Sequence, residues 1–396
     1  MWFFRSPTIV FGEEALLHIR ELRGKNAFVV TDKTINENGI LAPVLFQLGR
    51  AGMEFEIYDD IESEPSLNNI ERARDACVEY APEWIVAVGG GSVIDAAKAI
   101  WIAYENPDID LAVISPIEPI ALREKARMIA VPTTAGTGSE TTWAFVLSEI
   151  DDDTLSPRKV GSGHPLAVPD YAVVDPIMSA SMPEEMTADT GMDALTQAVE
   201  AYLATWANDF TDGLALVATK IAFEFLPRAY AEPKDILARE KMANCASIGG
   251  LAYINSMVGL AHSMGHAFGA AMKVPHGRAV GLFLPYVLEF YGSRERPDNV
   301  ETRMTELCRF IHIEASDEHD ASIKLSDKVR ALMKEIEQPL TIAEGEIGED
   351  EFRDALDAMV DNAINDTVIF SSPRQPSERE LRRLFECAFD GRTVDF

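Results

Sequence analysis

The chain reads as an α/β N-terminal domain built on a parallel sheet, followed by an all-α C-terminal domain. Three observations carry that reading. Strand and helix signals alternate through the first 180 or so residues, helical periodicity with few β-branched runs takes over after Pro183, and 396 residues suffice for two domains with a core each. The change of character falls within 176–186 (PIMSASMPEEM), which divides the chain into 1–180 and 181–396.

Taken in order, strands are expected at 27–31 (AFVVT), 55–58, 84–88 (WIVAV) and 128–131, with helices at 70–80 and 93–104 between them. The second half predicts helices at 192–205, 212–230, 236–260, 302–311 and 322–337, and a last one at 377–389 after Pro373. No internal repeat, low-complexity tract or long linker interrupts the pattern. The stretch 242–272 contains no Asp, Glu, Lys or Arg, yet it holds Asn244, Asn255, His262, His266 and five glycines. A lipid-facing helix accommodates those poorly, so helices buried on all sides in a soluble core are expected, and no membrane span.

Composition narrows the partners. The 47% hydrophobic and 25% charged content is that of an ordinary globular protein, but 65 Asp+Glu against 35 Lys+Arg leaves a formal charge of −30. That field repels polyphosphate backbones and anionic membrane surfaces, which excludes nucleic acid as an expected partner. Cys77, Cys245, Cys308 and Cys387 are scattered without a CxxC pair, as reduced cytoplasmic thiols are. The opening MWFFRSPTIVFGEE lacks a basic segment followed by a long apolar run, so no secretory signal is expected.

Two turns invite a phosphate. The 84–88 strand runs into Gly89, Gly90, Gly91 and Ser92 and then a helix, where absent β-carbons admit close backbone approach and the helix N-terminus favours an anion. The second turn, PTTAGTGSETT at 132–142, offers hydroxyls and glycines after another strand. Either alone also suits a tight or capped turn without a ligand; together, at the carboxyl ends of two strands, they reinforce one another. Neither is GxGxxG, and Asp32, at the end of the first expected strand, precedes the glycine turn instead of following it. An acid there accepts hydrogen bonds from a ribose and repels a 2′-phosphate; alone it also fits a turn aspartate.

In the helical half, Asp193 and Gln197 share one helix face, as do His262 and His266, while His276 lies in the rigid VPHG turn at 274–277. Carboxylate, amide oxygen and imidazoles make a first shell for Fe(2+) or Zn(2+). A histidine pair in an apolar helix is as often a core feature, and Asp-x3-Gln is commonly a solvated face.

Set side by side, these motifs resemble the iron-containing (group III) alcohol dehydrogenase family over nearly the whole chain. The likeness rests on GGGSVIDAAKA at 89–99, PTTAGTGSE at 132–140, VDP at 174–176, ADTGMDALTQAVEAY at 188–202, GLAHSMGHAFGA at 259–270, VPHG at 274–277 and SPR at 372–374. The resemblance implies the fold shared with dehydroquinate synthase, a dinucleotide-binding α/β domain and a helical metal-binding and substrate domain. It implies that Gly89, Gly90, Gly91, Ser92 and Asp95 seat the cofactor pyrophosphate, and that Thr133, Thr134, Thr137 and Thr142 line the phosphate and ribose path. Lys159 matches a lysine that reaches the cofactor ribose, and Asp32 matches the acid of NAD users. Asp193, His262 and His276 match three metal ligands, and Gln197 stands where the family has a fourth, a histidine. An amide oxygen is a harder and weaker donor, so a looser site is expected at unchanged ligand charge. His266 matches a histidine near the nicotinamide and substrate and is the candidate catalytic proton relay.

The expected activity is metal-dependent, NAD(H)-linked interconversion of a small alcohol and its aldehyde or ketone, by a homodimer or larger homo-oligomer. Three rivals stand beside it. One is a metal-independent reductase of the maleylacetate reductase type, favoured by Gln197. Another is a non-redox lyase like dehydroquinate synthase, for which Lys273 and Arg278 supply little basic surrounding. The last is a non-catalytic nucleotide-binding scaffold.

Overall fold

The computed structural model describes residues 3–150, 157–295 and 302–396. The chain forms two compact units, Met1–Met182 and Pro183–Phe396.

The first unit contains strands β1 (Thr8–Phe11), β2 (Asn26–Val30), β3 (Glu54–Tyr58), β4 (Trp84–Gly89), β5 (Arg127–Pro132), β6 (Ala144–Ile150), β7 (Pro157–Gly163) and β8 (Tyr171–Val174). Its helices are α1 (Lys33–Glu37), α2 (Ala42–Arg50), α3 (Leu67–Tyr80), α4 (Gly91–Glu105) and α5 (Pro176–Ser179). Six strands pair in parallel in the order β1-β8-β5-β4-β2-β3, and β6 and β7 form a separate antiparallel pair. The central strand β4 is buried throughout, which explains its unbroken apolar run. Its side chains still alternate: Ile85 and Ala87 join the core under α3 and α4, and Trp84, Val86 and Val88 join the core under α2. Phe145 and Leu147 of β6 pack into the α4 side of that core.

The expected strands correspond to β2 through β5 within two residues at each end. The strands β1 and β8, of four residues each, were not anticipated, because four residues carry too little alternation to register. Asp175 of the VDP motif accepts hydrogen bonds from the Leu16 and Ile177 amides, so this motif serves the scaffold.

The second unit is helical: α6 (Glu184–Leu203), α7 (Asp209–Ala231), α8 (Ile236–Ile254), α9 (Leu260–Met272), α10 (His276–Gly292), α11 (Met304–Phe310), α12 (Glu318–Glu335), α13 (Glu349–Ile364) and α14 (Glu378–Asp390). Helix α6 packs against α7, α8, α9 and α10. Side-chain caps mark four of the starts: Asn208 with Thr211 and Ser377 with Glu380 form capping boxes, and Asp235 and Asp317 cap α8 and α12. The helix expected over 236–260 is α8, which stops six residues short of the expected end. Helix α8 ends at Ile254, Met257 takes a left-handed φ of 77°, and α9 starts at Leu260. The 242–272 stretch is thus mostly buried helix, and no described helix is long and apolar enough to cross a membrane. Arg374 of the SPR motif donates to the Phe290 and Phe396 carbonyls and to Glu380, and lies over the Phe290 ring, again a structural role.

Candidate active site

Helix α6 buries a polar stripe. Asp193, Gln197 and Glu200 stand at i, i+4 and i+7, on a helix whose neighbours are mostly apolar, and none is more than 3% exposed. Burial of that kind requires partners. Helix α9 supplies His262 and His266 at i and i+4, and His276 is the first residue of α10, with Pro275 before it as the cap. The expected VPHG turn is therefore the start of a helix. Its glycine has a reason: a β-carbon on Gly277 would stand 2.1 Å from the Asp189 carbonyl oxygen on α6. Only glycine lets α10 begin this close to α6, and that approach carries His276 to Asp193.

The Nε2 atoms of His262 and His276 each lie 3.6 Å from Asp193 Oδ1, and ligand atoms of the three residues all fall within 4.8 Å of one another. At 3.6 Å an imidazole does not hydrogen-bond a carboxylate. Asp193 Oδ1 is buried without a hydrogen bond, which in a folded protein calls for an explanation. A tetrahedral shell with bonds of about 2.1 Å spaces its ligands roughly 3.4 Å apart, so these three residues fit a divalent ion. Burial opposes the charge on Asp193, but His276, His262 and a hydrogen bond from the Gln197 side chain outweigh it and hold the carboxyl below its ordinary range. Gln197 stands one turn on from Asp193 on the same buried face of α6.

Two carboxylates that sequence reasoning missed hold the histidines. Burial resists a charge on His262, yet Asp193 and Glu200 outweigh it and raise the ring to about 9. Glu200 lies 2.5 Å from His262 Nδ1 and also accepts the Ala261 amide at 2.6 Å, so it fixes the ring and caps α9 from another helix. With Nδ1 committed to Glu200, Nε2 is the nitrogen left for the Asp193 side, where an ion would take the place of its proton in a carboxylate–histidine–metal arrangement. Asp366 plays the same part for His266, at 2.7 Å from its Nδ1. The His266 ring stacks on His276 with centroids 5.3 Å apart and is about one-third exposed.

In the first unit, β4 ends at Gly89, Gly90 caps α4, and the Thr133 amide bonds the Gly89 carbonyl at 3.0 Å. The two turns therefore lie side by side. A β-carbon on Gly91 would stand 2.7 Å from Thr137 Cγ2, and one on Gly90 3.3 Å from Thr134 Cγ2. Gly90, Gly91, Ser92, Thr134 and Thr137 are half-buried, while Thr133 and Thr142 are buried. Ser92 Oγ donates to the Ser63 carbonyl at 2.6 Å. Asp95 accepts from Ser139 Oγ and, at 2.9 Å, from the Val146 amide; the Thr142 hydroxyl accepts from Lys98. Asp32 caps α1, accepting the Ile35 amide at 2.9 Å. Lys159 falls in β7, with its side chain outside the described residues.

Comparison with known proteins agrees with both units. Residues 6–176 match the family model for iron-containing alcohol dehydrogenase, and 187–389 match that for the Fe-containing alcohol dehydrogenase family, C-terminal. The NADPH-dependent butanol dehydrogenase of Clostridium saccharobutylicum is 36% identical over 402 residues, covering 100% of both chains. The chain also spans 46% of the longer aldehyde-alcohol dehydrogenases it matches. Among solved structures, an iron-containing alcohol dehydrogenase from Thermococcus thioreducens aligns at TM-score 0.88 and 28% identity, over 99% of this chain and 100% of that one. A sulfoacetaldehyde reductase from Bifidobacterium kashiwanohense, solved with NAD+, aligns at 0.84 and 26% identity over 98% of each. The chain belongs to the iron-containing alcohol dehydrogenase family and is an alcohol/aldehyde oxidoreductase.

Proposed function

We propose that this enzyme interconverts a small alcohol and its aldehyde or ketone with NAD(H), using a divalent ion at Asp193, Gln197, His262 and His276, Fe(2+) before Zn(2+). The observation that carries the ion is the Asp193–His262–His276 group, its first two members buried, with its unbonded carboxylate oxygen. Such an ion, when bound, supplies a Lewis acid for the substrate oxygen. Glu200 holds His262 through Nδ1 and so turns Nε2 toward Asp193, where a bound ion would displace its proton, and Gln197 stands one turn on from Asp193 on the same helix face. His266, held through Nδ1 by Asp366 and partly exposed, is placed to pass a proton from the site to solvent.

The glycine turn (Gly89, Gly90, Gly91, Ser92) and the second turn (Thr133, Thr134, Thr137, Thr142), with Asp95 and Lys159, are the cofactor residues in this reading. Asp32 supports NAD over NADP, since its carboxylate repels a 2′-phosphate. The butanol dehydrogenase relative is NADPH-dependent and the reductase neighbour holds NAD+, so the preference rests on Asp32 alone. We place the enzyme in the cytoplasm as a homo-oligomer; its four cysteines are free and buried, as reducing surroundings permit. The lyase and scaffold readings have no support in the family matches. Purified protein supplied with Fe(2+) or Zn(2+) is expected to form NADH with some member of a broad panel of small alcohols. No NAD-linked turnover anywhere in that panel, in either direction, would sink the proposal.

A further inference from the structure

One buried cation has no part in the reading above. Lys98 is 0% exposed, and its three ammonium protons are all placed: on Ser139 Oγ, on Thr142 Oγ1 and on the Ala144 carbonyl, each at 2.8 Å. Asp95 lies one turn earlier on α4, its carboxylate 3.7 Å from the same ammonium. Asp95 in turn accepts the Ser139 hydroxyl and the Val146 amide. Counting from Gly91, the two residues sit at i+4 and i+7, one face of the helix that starts on the glycine turn. Every partner belongs to the 132–142 turn or to the start of the β6 strand after it.

Stability alone does not account for this lysine. Burial lowers its pKa to about 8 against the pull of Asp95 and Glu140, a sign of the cost of keeping an ammonium here. Apolar side chains of similar volume commonly replace a buried ion pair without loss of stability. What they do not supply is direction. Three donors at fixed angles determine where Ser139, Thr142 and Ala144 lie relative to α4, and so hold the second turn against Gly90 and Gly91, where the gap is already too small for a β-carbon at Gly91.

We propose that Lys98, together with Asp95, is a positioning residue that clamps the 132–142 turn onto the helix of the glycine turn and so sets the shape of the dinucleotide seat. This rests on the reading that a dinucleotide binds at these turns. In that arrangement Asp95, besides the cofactor contact assigned to it above, also shapes the seat through Lys98 and Ser139, and the loss should appear in cofactor binding more than in turnover.

The test uses the full chain as Lys98→Met, as the charge-balanced double variant Lys98→Met/Asp95→Asn, and as Ser139→Ala. Binding is followed by NADH fluorescence, folding by thermal melts, and catalysis by the KM for NAD against kcat. Both Lys98 variants are expected to raise the NADH dissociation constant at least tenfold, with KM rising more than kcat falls. Ser139→Ala removes one acceptor and should weaken binding roughly threefold. A packing role would lower the melting temperature and leave NADH affinity, measured well below it, unchanged. A folded double variant with wild-type affinity overturns the proposal. If neither Lys98 variant folds, wild-type affinity in Ser139→Ala overturns it instead. Wild-type protein that binds neither NADH nor NADPH overturns the dinucleotide reading itself, whatever the variants do.

Discussion

Replacing Glu200 by glutamine tests how much of the metal site lies beyond its ligands. The carboxylate is 3% exposed and accepts the His262 ring at 2.5 Å and the Ala261 amide at 2.6 Å. A glutamine of the same shape keeps one accepting oxygen and presents an NH2 to the other donor. If the oxygen stays with Ala261, the NH2 faces His262 Nδ1 and drives the ring to its Nε2–H tautomer, which has no lone pair toward Asp193. Loss of such a partner weakens metal binding about 10–100-fold, or about 1.4–2.7 kcal/mol. If the oxygen stays with His262 instead, the Ala261 amide is stranded at the start of α9, at a cost of about 1–3 kcal/mol of stability. The assay is competition of apo-protein with a chelator for Zn(2+), repeated anaerobically with Fe(2+), beside a thermal melt. An affinity within threefold of wild type, with an unchanged melt, would refute the role given to Glu200.

Gln197→His should tighten metal binding at least about tenfold by the same competition, because imidazole nitrogen is the better donor for a borderline ion; weaker binding would show a site tuned around the amide. Asp32→Ser removes the carboxylate that repels a 2′-phosphate, so the ratio of kcat/KM for NAD to that for NADP should fall about tenfold or more; an unchanged ratio excludes Asp32 as the determinant. Gly277→Ala sets a β-carbon 2.1 Å from a backbone oxygen of α6, so α10 must move. A melt is expected to show a loss of about 1–3 kcal/mol, with weaker metal binding because His276 moves too.

What the sequence revealed, and what it did not, follows from the range of each signal. The strands β2 to β5 are apolar runs bounded by turn residues and are legible locally. Helix α10 escaped because it is apolar on nearly every side and contains Pro285, so it has no periodic face. Helix α13 had a readable face, Phe352, Leu356, Met359, Val360 and Ala363, hidden among acids. At the site, Asp193, Gln197 and the histidine pair were legible as i, i+4 pairs. Glu200 lies on the same α6 face, but an isolated helix pattern does not reveal that this face is buried, so nothing local marks it out. Asp366 lies 100 residues from His266 and no local pattern links them. Lys98 was hidden for a similar reason: a lysine in a helix reads as solvated until the fold encloses it.

The central claim is that Asp193, His262 and His276 hold an ion on which NAD-linked turnover depends. Its most direct measurement is a titration of chelated protein with Fe(2+), reading bound metal and NADH formation together, beside Asp193→Asn. Turnover that rises in proportion to bound metal, saturates at about one ion per chain, and is lost with the ion in Asp193→Asn is the expected result. Full activity in exhaustively chelated protein, or no stoichiometric binding, would contradict it.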